Sequence, residues 1–279
     1  MLILAGCAAN AAISFAHTAA IEAGGENRYK AVRLTPQIYN ASNSDLSDLS
    51  IKDGNGENVP YFINTGFEMA YSDREAYPLE QTHFIESFEP VFTVRSGGKR
   101  TNIVIEGLKN LRLCDISIHT DSMFKRNVYT AHGIGKELYN ISLDGASYVD
   151  TTIPMGWSIP QEEAYSITID DGDDKPISVS RVTVRYYADD LVFEGNAGHS
   201  YTLEFSGDPE KTAPVYDIGR YKGDILKGTI DRAAIGEIRY MYEPEEIQPG
   251  RDYRTVFNIV VIIVALLLGT VIVMRLRKR

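Results

Sequence analysis

Tryptophan and cysteine are almost missing from this chain, with one Trp and two Cys among 279 residues. Cys7 lies in an apolar N-terminal stretch and Cys114 in a strand-like run. If that stretch is removed, Cys114 has no intramolecular partner, so the fold must rest on an apolar core rather than on disulfides. Leu113 and Ile116 flank Cys114, which predicts a buried, inert thiol. Long amphipathic helical patterns are also lacking, which excludes helical bundles and coiled coils. Hydrolase signatures are absent: no histidine stands in an HExxH motif and no G-x-S-x-G elbow occurs. His119-Thr120-Asp121 could orient an imidazole, although loops between strands often carry such residues. Carboxylate pairs abound, but a chain this acidic produces them by chance. The reading is of a non-catalytic protein.

Basic charge is scarce in the body of the chain. Four of the 28 Lys and Arg residues fall within the last five positions, at Arg275, Arg277, Lys278 and Arg279. All 38 Asp and Glu residues lie between Glu22 and Asp252, against 24 basic ones, for a net charge of −14. Such a surface repels nucleic acid and anionic head groups, so no nucleic-acid partner is expected.

Two apolar ends frame this acidic body. Residues 1–20, MLILAGCAANAAISFAHTAA, are rich in small side chains and end in Thr18-Ala19-Ala20. They predict a signal peptide cleaved after Ala20, because signal peptidase accepts only small side chains at −3 and −1. A basic n-region is missing. Leu4-Ala5-Gly6-Cys7 also has the form of a lipobox, which leaves lipidation at Cys7 as the alternative. Residues 255–274 hold an uncharged apolar run from Val256 to Met274. At about 1.5 Å rise per residue it reaches roughly 28 Å, close to the hydrocarbon thickness of a bilayer. The basic tail 275–279 follows at once. Positive residues stay inside, so the chain is predicted to be a single-pass protein of the cell membrane with an extracytoplasmic ectodomain and a cytoplasmic C-terminus.

Between these ends the pattern is that of short strands. Seventeen Tyr and many Val, Ile and Thr favour strands. Arg28 to Tyr39 reads as an extended run interrupted at Pro36. Asp53-Gly54-Asn55-Gly56 predicts a hairpin turn between Leu46–Asp53 and Val59–Ile63, and Ser96-Gly97-Gly98 another between Val91–Arg95 and Asn102–Glu106. The apolar alternation of Leu111, Leu113, Ile116 and Ile118 changes phase after Leu113, which predicts a β-bulge. Further strands are expected near 126–131, 137–143, 165–169, 177–187, 191–194 and 201–205, and one short helix over 217–226. The fold class is all-β, a β-sandwich. The expected divisions are an N-terminal β region 21–83, a sandwich domain 84–208, a short helix or strand and stalk 209–254, then the transmembrane segment.

Tyr29 to Tyr61, with YKAVRLTPQIYN and LSDLSIKDGNGENVPY, resembles the DUF3999 family of bacterial envelope proteins. So does Ile167 to Asp217, with ITIDDGDDKPISVSRV, LVFEGNAGHSYTLEF and APVYD, while Phe124-Lys125-Arg126 is similar to the family's Phe-x-Arg segment. The resemblance implies a signal peptide, a galactose-binding-like jelly roll and a C-terminal anchor. It implies no activity and transfers no catalytic residue.

Two stretches carry candidate sites. Asp170, Asp171, Asp173 and Asp174 surround Gly172; they read either as a solvated turn or as oxygen ligands for a structural calcium. Tyr148, Trp157 and Tyr165 occupy or flank the loop-rich stretch 147–163. Sugar-binding sandwiches stack exposed aromatics on pyranose faces, and a lone Trp in a loop is either a core plug or a contact. The expected partners are therefore the membrane and a cell-envelope glycan or membrane protein, with a complex subunit or a carbohydrate-active enzyme as alternatives.

Overall fold

A computed structural model describes residues 17–66 and 84–240. The predicted transmembrane segment 255–274, the tail 275–279, the 243–254 stalk and the lipobox at Cys7 lie outside the described residues. Among the described residues no helix is long and apolar enough to cross a membrane.

The described chain is built on strands. In order they are β1 His17–Glu22, β2 Tyr29–Arg33, β3 Ser50–Lys52, β4 Asn58–Val59, β5 Tyr61–Asn64, β6 Ile85–Phe88, β7 Phe92–Gly97, β8 Arg100–Glu106 and β9 Arg112–His119. They continue as β10 Phe124–Thr130, β11 Gly135–Leu143, β12 Ala146–Asp150, β13 Thr152–Pro154, β14 Ala164–Asp170, β15 Arg181–Tyr187, β16 Asp190–Glu194, β17 Ser200–Phe205 and β18 Ile230–Tyr240. Helix α1 spans Pro36–Ala41, and a 3-10 turn at Asp217–Tyr221 leads into helix α2, Lys222–Ile225.

Two sheets form the sandwich. One has six strands in the order β12-β11-β10-β14-β8-β7 and the other four, β13-β9-β15-β6. Their inner faces follow from period-two alternation. Ile103 and Ile105, Tyr165, Ile167 and Ile169 on one sheet, and Ile116, Ile118, Val182 and Val184 on the other, are buried in one core cluster. A third sheet, of eight strands, runs β4-β3-β17-β1-β18-β2-β16-β5. Strands β16 and β17 lie inside the expected 84–208 domain, yet they pair with β2, β5, β1 and β3. The expected division at residue 83 therefore does not separate the sheets. Arg33 of β2 ties two of them: its guanidinium binds Asp190 at 2.5 Å and reaches Glu86 of β6 at 2.7 Å.

Two sequence expectations are corrected here. His17, Thr18, Ala19 and Ala20, placed at the end of a removed leader, are the first four residues of β1, a strand held between β17 and β18. Ala19 and Ile21 are buried, so a cut after Ala20 would open the middle of this sheet. Small apolar residues suit a crowded central strand as well as a peptidase pocket. The extended run expected through Tyr39 stops at Arg33. Pro36 then opens α1 at its first turn, where its missing N–H and fixed φ are tolerated.

Polar latches close the structure. Lys30 has a fully buried side chain, and its ammonium donates to Asp231 Oδ2 at 2.7 Å and to the Gly25 carbonyl at 2.9 Å. This ties β2 to β18, the one parallel pair in the eight-stranded sheet. Asp48 is fully buried; its carboxylate accepts the backbone N–H groups of Asn43, Ser206 and Gly207 at 2.9, 3.0 and 2.6 Å.

Candidate ligand-binding surface

The predicted bulge sets up the surface. Arg185 pairs with Asp115 but Tyr186 pairs with Leu113, which leaves Cys114 as the extra residue. A bulge bends its strand and turns a peptide out of the ladder. The Cys114 carbonyl accepts from Met155 N at 2.8 Å, Leu113 N donates to the Ser158 carbonyl at 2.9 Å, and Asn110 N donates to the Pro160 carbonyl at 2.8 Å. These bonds zip the segment after β13 against the start of β9. The Cys114 thiol itself is half-buried, and burial pushes it up to about 11, so it is protonated and inert near neutrality.

Within that segment Ser158 N donates to the Met155 carbonyl at 3.0 Å, closing a four-residue turn. Its central residues both have positive φ, +54° at Gly156 and +69° at Trp157. These are the signs of a type I′ turn, whose second central position favours Gly or Asn. A bulky side chain there is an outlier with a cost of roughly 1–2 kcal/mol. The indole so held is 44% exposed. It is not a core plug.

His132 reaches the same place from the turn between β10 and β11, where Gly133, at φ +79°, donates to the Thr130 carbonyl at 3.0 Å. Its Nδ1 lies 2.7 Å from Ser158 Oγ, its Nε2 lies 3.6 Å from a Glu162 carboxylate oxygen, and its ring meets the Tyr165 ring edge-on at 5.2 Å. Backbone N–H groups, with a smaller contribution from His132, hold the Glu162 carboxyl below the usual range. An exposed indole at Trp157 thus neighbours, through Ser158, a linked set of polar side chains, Ser158, His132 and Glu162. Ser158 faces Nδ1 and Glu162 faces Nε2, the reverse of the acyl-transfer triad, in which the nucleophile sits on Nε2 and the acid on Nδ1–H. The 3.6 Å separation is also longer than a hydrogen bond, so Glu162 does not fix the imidazole tautomer.

Tyr165, expected as a ligand contact, is buried at 1% exposure on the inner face of β14, and burial pushes its phenol up. It is the floor under His132, because position 165 shares the inward phase of Ile167 and Ile169. Tyr148 is 58% exposed on β12, opposite Ile141. That register puts it toward the far end of the six-stranded sheet, away from Trp157. His119 does not use Asp121: its Nε2 faces Thr183 Oγ1 at 2.9 Å and its Nδ1 faces Arg181 at 3.4 Å.

The acidic stretch at 170–174 splits. Asp171 is buried, ion-paired with Arg126 and bonded by Thr101 Oγ1 at 2.6 Å. Asp173 pairs with Lys99, and Asp170 accepts from Gly172 N at 3.3 Å. A calcium ion would have to displace Arg126 from Asp171 to gather these oxygens. Among the described residues no group of three His, Cys, Asp or Glu side chains converges on a metal position.

Sequence reasoning singled out Trp157 but not its neighbours. His132 and Ser158 are separated by 26 residues on two loops, and no local spacing announces their meeting. The phase change at Leu113 was the available signal, since it marks the bulge that docks the Trp157 loop. No family model, no curated protein and no solved structure matches the chain.

Proposed function

We propose that this protein is a non-catalytic binding module of the cell envelope, a galactose-binding-like jelly roll held outside the membrane by the 255–274 helix, which engages glycan through Trp157. One observation carries the reading: an exposed indole is kept in a left-handed turn beside His132, Ser158 and Glu162. Backbone strain persists where surrounding structure over-determines it, often at ligand sites. A flat aromatic with donors and acceptors at its edge matches a sugar ring, whose C–H face stacks while its hydroxyls bond sideways. The DUF3999 resemblance supports the envelope setting. The test is a glycan array probed with the full-length chain and with Trp157→Ala. The reading requires polysaccharide binding that this substitution removes, and an array with no signal for the native chain would sink it.

A second reading, a subunit of a membrane complex, is favoured by a different observation. Leu143, Tyr148 and Val149 are each 58–61% exposed on the β11–β12 hairpin, an apolar concentration typical of contact surfaces. Crosslinking from position 148 to a copurifying membrane protein would favour it over the glycan reading.

A further inference from the structure

At the other end of β9 from Trp157 lies a second concave site. Leu113, which holds the Ser158 carbonyl, is six residues from His119 on this strand, or about 20 Å at the rise of a β-strand. The cleft has a volume of about 330 Å³, at the small end of ligand-binding clefts. Its walls come from the end of β9, the start of β15 and the facing β11–β12 pair.

The hydrogen-bond inventory shows which groups remain open. Both N–H groups of the Asn140 amide are engaged, with the carbonyls of Thr120 at 3.2 Å and Ser122 at 3.1 Å, and its Oδ1 is left as an acceptor with no partner among the described residues. Arg181 can only donate. Its 3.4 Å approach to His119 Nδ1 therefore assigns the lone pair to Nδ1 and the proton to Nε2, which donates to Thr183. Among the described residues Arg181 is held by this contact and by Glu89 at 3.3 Å, both long, which leaves guanidinium N–H groups to offer. The Asp121 carboxylate and the Thr151 hydroxyl have no hydrogen-bond partner among the described residues, and both line the cleft. Val149, 61% exposed, supplies an apolar wall.

We infer that this cleft is a second saccharide site and takes one neutral sugar ring. Two acceptors (Asp121 and Asn140 Oδ1), one donor (Arg181) and one hydroxyl (Thr151) around an apolar wall complement vicinal hydroxyls, each of which donates and accepts. The charge balance selects against acidic sugars: Arg181 is offset by Glu89, and Asp121 leaves an excess negative charge that repels a carboxylate or phosphate. The proposal stands on this cleft's geometry and does not need the Trp157 surface.

The test is saturation-transfer NMR and calorimetry on the full-length chain. The probes are the methyl glycosides of glucose, galactose, mannose and N-acetylglucosamine, with methyl glucuronide as the charged control. The expected result is millimolar binding of at least one neutral glycoside, weakened roughly tenfold or more in Asp121→Asn and in Thr151→Val, and no binding of the glucuronide. Both substitutions preserve side-chain shape at positions outside the core, and thermal unfolding of each variant verifies its fold. Trp157→Ala is expected to leave the share of glycoside binding that depends on Asp121 and Thr151, while the two cleft variants leave the share that depends on Trp157, which separates failure at one site from failure at the other. Absence of binding by every neutral glycoside, equal binding in both cleft variants, or preference for the glucuronide would each overturn the inference.

Discussion

Replacing Trp157 with Gly and, separately, with Ala isolates the strain on which the functional reading rests. Both substitutions delete the indole, so both lose the packing of its covered part. Somewhat over half of the residue is covered, which for an aromatic of up to about 250 Å² amounts to at most about 3 kcal/mol. The two variants then differ only in backbone. Ala keeps a Cβ at φ +69°, where an L-residue meets the following carbonyl at a cost of roughly 1–2 kcal/mol. Gly has no such clash but orders a more flexible unfolded chain, which returns roughly 0.5–1 kcal/mol. The Gly variant should therefore be the more stable by about 1 kcal/mol, or about 2–4 °C in Tm for a domain of this size. Parallel thermal and urea unfolding read this difference, and glycan binding is measured on the same samples. An Ala variant as stable as the Gly variant would show that the turn imposes no left-handed strain. Retained binding in both would show that the indole is not the platform.

Asp171→Ala strands the Arg126 guanidinium, whose side chain is 8% exposed. The expected loss is about 3–5 kcal/mol, read by urea denaturation, and added calcium should leave the native protein's Tm unmoved. Gly25→Ala puts a Cβ 2.2 Å from the Asp231 carboxylate, at positive φ, so the Lys30–Asp231 latch must open. A cost of about 2 kcal/mol or more is expected, and hydrogen exchange should show β2 and β18 separating first. Asp189 is raised by burial, although it accepts from the Tyr39 hydroxyl at 2.9 Å and from Gly66 N at 3.1 Å. A carboxyl whose folded value is raised contributes stability below its ordinary range and loses it as pH rises through the folded value. Asp189→Asn should therefore gain on the native protein as pH rises from acid to neutral, and a variant that loses ground to the native protein with rising pH would refute the assignment.

The fold was legible where local pattern and tertiary need agreed. Asp53 accepts the N–H groups of Asn55 and Glu57, both at 2.9 Å, and Gly56 takes φ +80°, so the β3–β4 hairpin is determined within five residues. The alternation of β8, β14 and β15 points to their inner faces directly. β1 was hidden because HTAAIE carries small residues that also suit a leader. β18 was hidden because Ala233, Ile235 and Ile238 pack against the main core from it and Ile230 against a smaller cluster, too sparse a pattern to declare an eleven-residue strand. Tyr165 misled for the opposite reason: its neighbourhood is loop-rich, but the strand phase had already turned it inward. For the binding surface, the aromatic was visible and its polar partners were not, since they arrive from other loops.

Several latches join stretches far apart in the sequence. Asp48, from LSDLS, caps the exit of β17. Arg126, from the Phe-x-Arg segment, meets Asp171 of ITIDDGDDKP across 45 residues. Tyr61 and Tyr216, from VPY and APVYD, pack ring to ring at 5.5 Å. Each joins two distant stretches that must be held together for the sheets to close. Trp157, Ser158, His132 and Glu162 take part in none of these latches, and neither do His119, Asp121, Asn140 and Thr151. A sequence can keep the latches, and with them the fold, while its loops change freely. The latches therefore bear on architecture, and the ligand has to be argued from the side chains that take no part in them.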